Sequence, residues 1–250
     1  MEFELWRWAL FGVAAFIIGM SKSGVPGLGI LNVVIFLLLL DAKEAVGFGL
    51  PLLVVGDFCS IAIYRRHADW RQVLRMAPWA AIGVVIGYFT LGVMDGGVAR
   101  LVISCVLLAM LGLHVLRERY PNLVSEALPR SYGAAAFIGV LAAFISTLAN
   151  AAGPIMVLFL LSMRLPKLTF MGTSVCFFTF LNLFKVPFLS NLGLVDWGSL
   201  SANLKLAPFV LCGSLTGYFF ARKVSQKWFE RTAFWLTVVA VGYMFWKSIR

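Results

Sequence analysis

Two interrupted apolar segments carry polar residues that could do chemistry in an otherwise strongly hydrophobic chain. Residues 21–27 read Ser-Lys-Ser-Gly-Val-Pro-Gly, and residues 149–154 read Ala-Asn-Ala-Ala-Gly-Pro. A proline here is typical of the first turn of a helix, where no amide hydrogen is needed. The next amides then point back into the interruption, and a helix N-terminus carries about half a positive charge. Two such termini meeting within a membrane would form an anion site.

Side chains near the interruptions add to this prediction. Lys22 supplies a full charge, and an ammonium in an apolar segment is costly without a role or a partner. The other candidates are hydroxyl or amide donors, a second lysine, and small residues that expose the backbone, although glycines also serve simply to let helices approach closely. The predicted substrate-binding residues are Ser21, Lys22, Ser23, Gly24, Asn150, Ala151, Gly153, Asn182 and Lys185.

One acidic residue also falls inside an apolar segment. Asp57 precedes the basic run at 64–67 by about two helical turns, which places it in the hydrocarbon. It could carry a proton, coordinate Na⁺ or pair with Lys22. Asn182 lies near the position of the second half that corresponds to Asp57, and could reach the same cavity. Lys185 follows Asn182 by one turn, and could instead extend to the membrane interface.

Composition sets the class of the protein. The chain has 250 residues, of which 61% are hydrophobic and 13% charged, with a mean hydropathy of +0.93. A soluble domain is usually about 45–50% apolar. We therefore predict an all-α polytopic membrane protein with a single transporter domain over residues 1–250. Most of the Lys and Arg residues behind the net charge of +10 lie in short loops between the apolar segments. Such residues set the orientation of a membrane protein and contact lipid headgroups, so no nucleic acid is expected as a partner.

The two halves of the chain resemble each other. Asp69-Trp70 recurs as Asp196-Trp197, and the prolines and glycines of 78–89 recur at 208–219. This pattern predicts a duplication, with repeat 1 at about 5–116, a linker at 117–131 and repeat 2 at about 132–250. Each repeat would contain one broken or re-entrant helical hairpin plus about three full transmembrane helices.

The positions of Lys and Arg distinguish parallel from inverted repeats. If each broken segment were one full span, the repeats would be parallel and the two sides would carry 11 and 8 basic residues. If each segment returns to its starting side, the repeats are inverted and the split is 13 to 6. The larger set is at positions 65, 66, 71, 75, 117, 119, 130, 164, 167, 222, 223, 227 and 231.

The uneven split favours inverted repeats, with both termini outside (periplasmic) in the cell inner (plasma) membrane. The arms of each break span about 11–18 residues, and a full crossing needs about 20. We therefore expect re-entrant hairpins with tips near the midplane.

Several motifs together resemble the sulfite exporter TauE/SafE family. They are Gly-Leu-Pro-Leu-Leu at 49–53, Gly56-Asp57, the runs at 64–70 and 148–156, Gly172-Thr173, and Asn-Leu-Phe-Lys-Val-Pro at 182–187. The resemblance covers nearly the whole chain and implies a permease of two related halves. Such permeases are associated with sulfite, sulfoacetate, other organosulfonates and related oxyanions or carboxylates. Many members have consecutive glycines at the first break, where this chain has Lys-Ser-Gly-Val-Pro-Gly, which suggests a separate branch.

We therefore expect a secondary transporter for a small anion that works by alternating access, with Asp57 as the proton carrier. The alternatives are a passive anion channel and a carboxylate transporter of the same fold. An intramembrane hydrolase is disfavoured because no second intramembrane Asp could form a carboxylate dyad, and no zinc or nucleophile motif occurs. The protein is predicted not to be an enzyme, and no cofactor or metal is expected.

Overall fold

An apolar chain in a bilayer must satisfy its backbone hydrogen bonds internally, and helices do so within one segment. The computed structural model describes residues 4–24, 28–120, 132–163 and 165–223. These ranges contain no strand, one 3₁₀ turn at Arg65–His67 and nine α-helices. The helices are α1 Leu5–Ser23, α2 Gly29–Leu39, α3 Ala42–Tyr64, α4 Trp70–Val93, α5 Gly96–Arg119, α6 Tyr132–Ala149, α7 Gly153–Ser162, α8 Lys167–Asn191 and α9 Trp197–Lys223.

Five helices in the described part are long and apolar enough to cross a membrane. They cover Leu5–Ser23, Ala42–His67, Trp70–Val93, Tyr132–Ala149 and Lys167–Asn191. The prediction of an all-α polytopic membrane protein is thereby confirmed. Pro26, most of the linker at 117–131 and the expected last helix of repeat 2 lie outside the described residues.

The first break is a helical hairpin in which α2 runs back along α1. A Cβ at Gly29 would lie 3.3 Å from the Ser21 Oγ atom. Two turns further along α2, the Phe36 ring lies 6.1 Å from the Phe11 ring, measured between centroids. The chain therefore reverses between Ser23 and Gly29, as expected for a re-entrant segment.

The two arms of each break differ in length. The helix α1 has 19 residues and α6 has 18, so each is about 27–29 Å long and close to the hydrocarbon thickness of about 30 Å. The second arms, α2 and α7, have only 11 and 10 residues. The expected length of about 11–18 residues holds for α6, whereas α1 is slightly longer because the α-helix continues through Ser21, Lys22 and Ser23.

Each of the main helix–helix contacts joins a helix of the first half of the chain to a helix of the second half. The first arm α1 packs along α9, the first arm α6 packs along α4, and α3 packs against α8. Asp69 and Asp196 begin α4 and α9, and each accepts a hydrogen bond from a backbone amide, at 3.3 Å from Gln72 and 2.6 Å from Ser199. Each first arm thus lies on a long helix of the other half. The inverted orientation of the two repeats in the membrane stays a prediction.

Glycines allow these pairs of helices to approach closely. A Cβ at Gly19 of α1 would overlap the carbonyl oxygen of Val210 in α9. In the corresponding pair, a Cβ at Gly83 of α4 would overlap the carbonyl oxygen of Val140 in α6. Backbone contact of this kind is a means by which helices associate in lipid, where apolar side chains gain little from leaving the bilayer.

Substituting Gly19→Val should therefore separate α1 from α9. We expect a loss of about 3 kcal/mol of stability, since the obstructing atoms are backbone and cannot rotate away. Thermal unfolding in detergent, followed by size-exclusion chromatography, measures the effect. Gly112→Val is the matched control, because no atom lies within 4 Å of a Cβ at Gly112. Equal melting temperatures for the two variants would contradict the close packing.

Candidate functional site

A cavity of about 80 Å³ lies between the two broken segments. A cavity measured in this way needs about 10–15 Å³ to hold one water molecule, so this one has room for several waters or a small polyatomic anion. The helices α3 and α8 complete its wall. Six of the predicted site residues line it: Ser21, Lys22, Asn150, Ala151, Gly153 and Asn182.

The beginnings of two helices form part of this wall. Gly29 and Ile30 open α2, and Gly153 and Pro154 open α7, and all four line the cavity. The first amides of a helix have no partner inside that helix, and the helix dipole places partial positive charge there. No atom lies within 4 Å of a Cβ at Gly153, so the backbone of α7 is open at this point. Both predicted helix N-termini therefore meet at one site.

An ion pair joins the first break to α3. The Lys22 Nζ atom lies 2.6 Å from Asp57 Oδ1, and the two side chains are only 13% and 1% exposed. The Phe178 ring also faces the ammonium, with its centroid 4.7 Å from Nζ, which is a favourable cation–π arrangement. Asn182 donates from Nδ2 to Asp57 Oδ2 at 2.6 Å. Of the three roles considered for Asp57, pairing with Lys22 is the one present in this structure.

Lys185 is fully buried and is held by neutral acceptors. Its Nζ atom donates to the Ser146 carbonyl oxygen at 3.1 Å, to Ser146 Oγ at 3.0 Å and to Asn150 Oδ1 at 2.8 Å. Its side chain therefore does not extend to the membrane interface. Lys185 stands behind the cavity wall, since Ser146 and Asn150 line the cavity and Lys185 does not. No carboxylate of the described residues lies within ion-pair distance of Lys185.

Asn150 fixes the tip of the second break. Its backbone has φ of 52°, in the left-handed region that asparagine adopts more readily than most residues. Its Nδ2 atom donates to the Val46 carbonyl oxygen of α3 at 2.9 Å, and its Oδ1 atom accepts from Lys185 of α8. The side chain thus ties the tip to both long central helices while it lines the cavity.

Ser23 and Gly24 lie outside the cavity lining and hold the tip of α1. The Ser23 Oγ atom is 2.8 Å from Ser60 Oγ, and the Ser23 carbonyl oxygen accepts a hydrogen bond from the Tyr64 hydroxyl at 2.7 Å. Gly24 packs so closely that a Cβ there would overlap the carbonyl oxygen of Gly217. These contacts position the neighbouring Lys22 against α3.

Three polar or aromatic residues of the cavity wall were missed from the sequence. They are Ser146, Asn32 and Phe178. Ser146 lies four residues before Asn150, close to the end of α6, and that spacing could have indicated it. Phe178 carries no such signal, because an aromatic residue is ordinary in an apolar helix.

Comparison with known families agrees with this geometry. The family model described as Sulfite exporter TauE/SafE matches residues 11–244. The chain belongs to the sulfite exporter TauE/SafE family. The match includes both breaks and all of α2 to α9, so the resemblance read from the motifs is confirmed. No curated protein and no solved structure matches the chain. Membership in the TauE/SafE family implies an integral membrane permease for sulfur anions, and the family is one of transporters.

The hydrogen bond between Lys185 and Asn150 should be measurable by a double-mutant cycle. Lys185→Met and Asn150→Gly are each expected to cost about 1–3 kcal/mol, because each leaves a buried polar partner behind, and glycine accepts the backbone conformation at position 150. The double variant should lose less than the sum by at least about 0.5 kcal/mol. Unfolding in detergent with added denaturant provides the free energies.

Asn203→Ala combined with Lys185→Met is the control for this cycle. Asn203 is also a buried asparagine, but it donates to the Phe48 carbonyl oxygen and shares no hydrogen bond with Lys185. Its effect should add to that of Lys185→Met. Full additivity in the Asn150 cycle as well would contradict the tie between the second tip and α8.

Proposed function

We propose that this TauE/SafE family protein is a secondary transporter that moves a small sulfur oxyanion or organosulfonate, such as sulfite or sulfoacetate, by alternating access. The observation that carries the proposal is that the Lys22 ammonium and the beginnings of α2 and α7 line one cavity between the two broken segments. Each of these groups attracts negative charge.

The charge balance near the cavity supports an anion as the substrate. Lys22 and Lys185 lie beside the cavity, and Asp57 is the one carboxylate of the described residues in ion-pair contact with either, so basic groups outnumber acidic ones there. Apolar side chains, including Leu53, Val157 and Phe178, line the rest of the cavity. These surfaces suit the carbon skeleton of an organosulfonate, while its sulfonate oxygens accept hydrogen bonds from the polar end.

The size and position of the cavity support a transporter over a passive channel. The cavity is of about 80 Å³ and lies between elements of the two halves, which is where a rocking motion would expose a site to alternate sides. We propose Asp57 as the proton carrier of this cycle. We also propose that the protein lies in the cell inner (plasma) membrane with both termini outside, because this places most loop Lys and Arg residues inside.

Replacing Lys22 tests the proposal directly. Lys22→Met keeps most of the side-chain stem but removes the charge, and we expect the dissociation constant for the transported anion to rise about 10- to 100-fold, as for the loss of a charged hydrogen bond. Lys43→Met is the matched control, since Lys43 lies in the first turn of α3 and does not line the cavity. Binding is measured with purified protein, and uptake with proteoliposomes, over a panel of sulfite, sulfoacetate and simple carboxylates.

Four outcomes would count against the proposal in different ways. Failure of the whole panel to bind or move would overturn an anion transporter. Uptake by Lys22→Met at the wild-type rate would overturn the assigned site. Selective movement of simple carboxylates would favour the carboxylate transporter, and a large conductance without saturation would favour the channel.

A further inference from the structure

We propose that anion binding at Lys22 and proton uptake by Asp57 are one coupled exchange, in which the anion takes the place of the Asp57 carboxylate and the Asn182 amide turns over. This inference rests on the proposed function and names how the proton and the anion are linked at that site. It predicts that one proton accompanies each anion.

The Asp57 carboxylate already holds the Lys22 ammonium that an anion in the cavity would bind. Its Oδ1 atom lies 2.6 Å from Lys22 Nζ, and Lys22 is the one lysine or arginine of the described residues that lines the cavity. An anion bound to Lys22 therefore competes with Asp57 for the same ammonium. Two negative charges sharing one ammonium in a buried site repel each other, and the protonated form of the acid relieves this repulsion.

Within the described part of the chain, few charged groups lie near enough to Asp57 to balance a displaced carboxylate. The charged or titratable side chains that face it are Lys22 from α1, Lys185 from α8 and Cys59 from its own helix. Lys185 is already held by three neutral acceptors. The helix α2 has no titratable side chain, and Lys205 of α9 is exposed and lies over the Trp8 ring. Proton uptake is thus the available way to remove the charge.

Asn182 provides the second observation. The residue is 2% exposed and lines the cavity, yet its Oδ1 atom has no hydrogen-bond partner among the described residues, while Nδ2 donates to Asp57 Oδ2. A buried acceptor without a partner costs about 1–3 kcal/mol. An amide has a donor and an acceptor side that can exchange by half a turn. The present orientation suits an ionised Asp57, and the reversed one suits a protonated Asp57.

The exchange conserves protons and charge. One proton, from water on the side to which the cavity is open, adds to Asp57 Oδ2, and the charge of Asp57 changes from −1 to zero. The Asn182 amide makes half a turn, so that its Oδ1 atom accepts the new O–H and its Nδ2 atom takes the former position of Oδ1. Lys22 then balances the anion instead of Asp57. After the half turn, the Asn182 amide has an N–H donor where it previously had its oxygen. An anion can accept a hydrogen bond from this donor.

Reciprocal linkage gives the sign of the pH dependence. If a proton on Asp57 strengthens anion binding, a bound anion strengthens proton binding by the same factor. Anion affinity should therefore rise as the pH falls, by up to about tenfold per pH unit for one linked proton. A monovalent anion moved with one proton carries no net charge across the membrane.

Proton uptake on anion binding tests the inference. Sulfoacetate is the probe, because its own charge is constant near neutral pH. Purified wild-type protein in weak buffer with a pH-sensitive dye should take up about one proton for each sulfoacetate bound. Asp57→Asn should bind sulfoacetate with an affinity that does not change with pH, and it should take up no proton.

The Asn182 step has its own matched pair of variants. Asn182→Leu should weaken sulfoacetate binding and lower the proton uptake below one per anion. Asn203→Leu is the control, since Asn203 is also buried with an unpartnered Oδ1 atom but lies outside the cavity lining, and it should leave both quantities unchanged. Melting temperatures verify that each variant is folded.

The outcomes separate this inference from the proposed function. Sulfoacetate binding without proton uptake in the wild-type protein, or with an unchanged pH dependence in Asp57→Asn, would overturn the coupled exchange and leave the anion transporter standing. Equal proton uptake in Asn182→Leu and the wild-type protein would overturn the role of the amide. Failure of both sulfoacetate and sulfite to bind at any pH would overturn the proposed function and the inference together.

Discussion

The buried ion pair between Lys22 and Asp57 is the interaction on which the centre of the molecule depends. A single charge buried in a membrane protein is costly, and removing one partner of a buried pair leaves the other uncompensated. Lys22 lies in the last turn of α1, where the helix dipole also favours a cation. The pair holds the end of α1 against α3, and Asn182 connects the same carboxylate to α8. Three helices are thereby positioned around one charged centre.

The two breaks expose backbone that would be unstable in lipid, and the fold protects both of them. Irregular backbone at membrane depth is tolerated where it is buried in protein or lines a cavity. Tyr64 and Ser60 of α3 bind the first tip, while Lys185 of α8 and the Val46 carbonyl oxygen bind the second through Asn150. Because the long central helices fix both tips, the helix beginnings beyond them face one shared cavity. The anion site is a consequence of this arrangement.

The helices, and the importance of the charged residues within them, could be predicted from the sequence, because both depend on local composition. Hydropathy indicates helices, and a buried Lys22 or Asp57 is too costly to be incidental. The orientation of neighbouring residues could not be predicted in the same way. Since the helix continues through Lys22 and Ser23, successive side chains point in different directions, and Ser21 and Lys22 reach the cavity while Ser23 does not. The partners of Asp57 and Lys185 come from other helices, so three roles for Asp57 stayed open until tertiary contacts were known.

A structure with a bound heavy anion would show directly whether an anion binds Lys22 in place of the Asp57 carboxylate. Selenite is chemically close to sulfite, and its selenium gives an anomalous signal that locates it. We predict a selenium peak in the cavity between the beginnings of α2 and α7, with an anion oxygen about 2.7–3.2 Å from Lys22 Nζ and the Asp57 carboxylate no longer in contact with that nitrogen. A selenium site elsewhere in the protein, with the Lys22–Asp57 pair still intact at 2.6 Å, would contradict it.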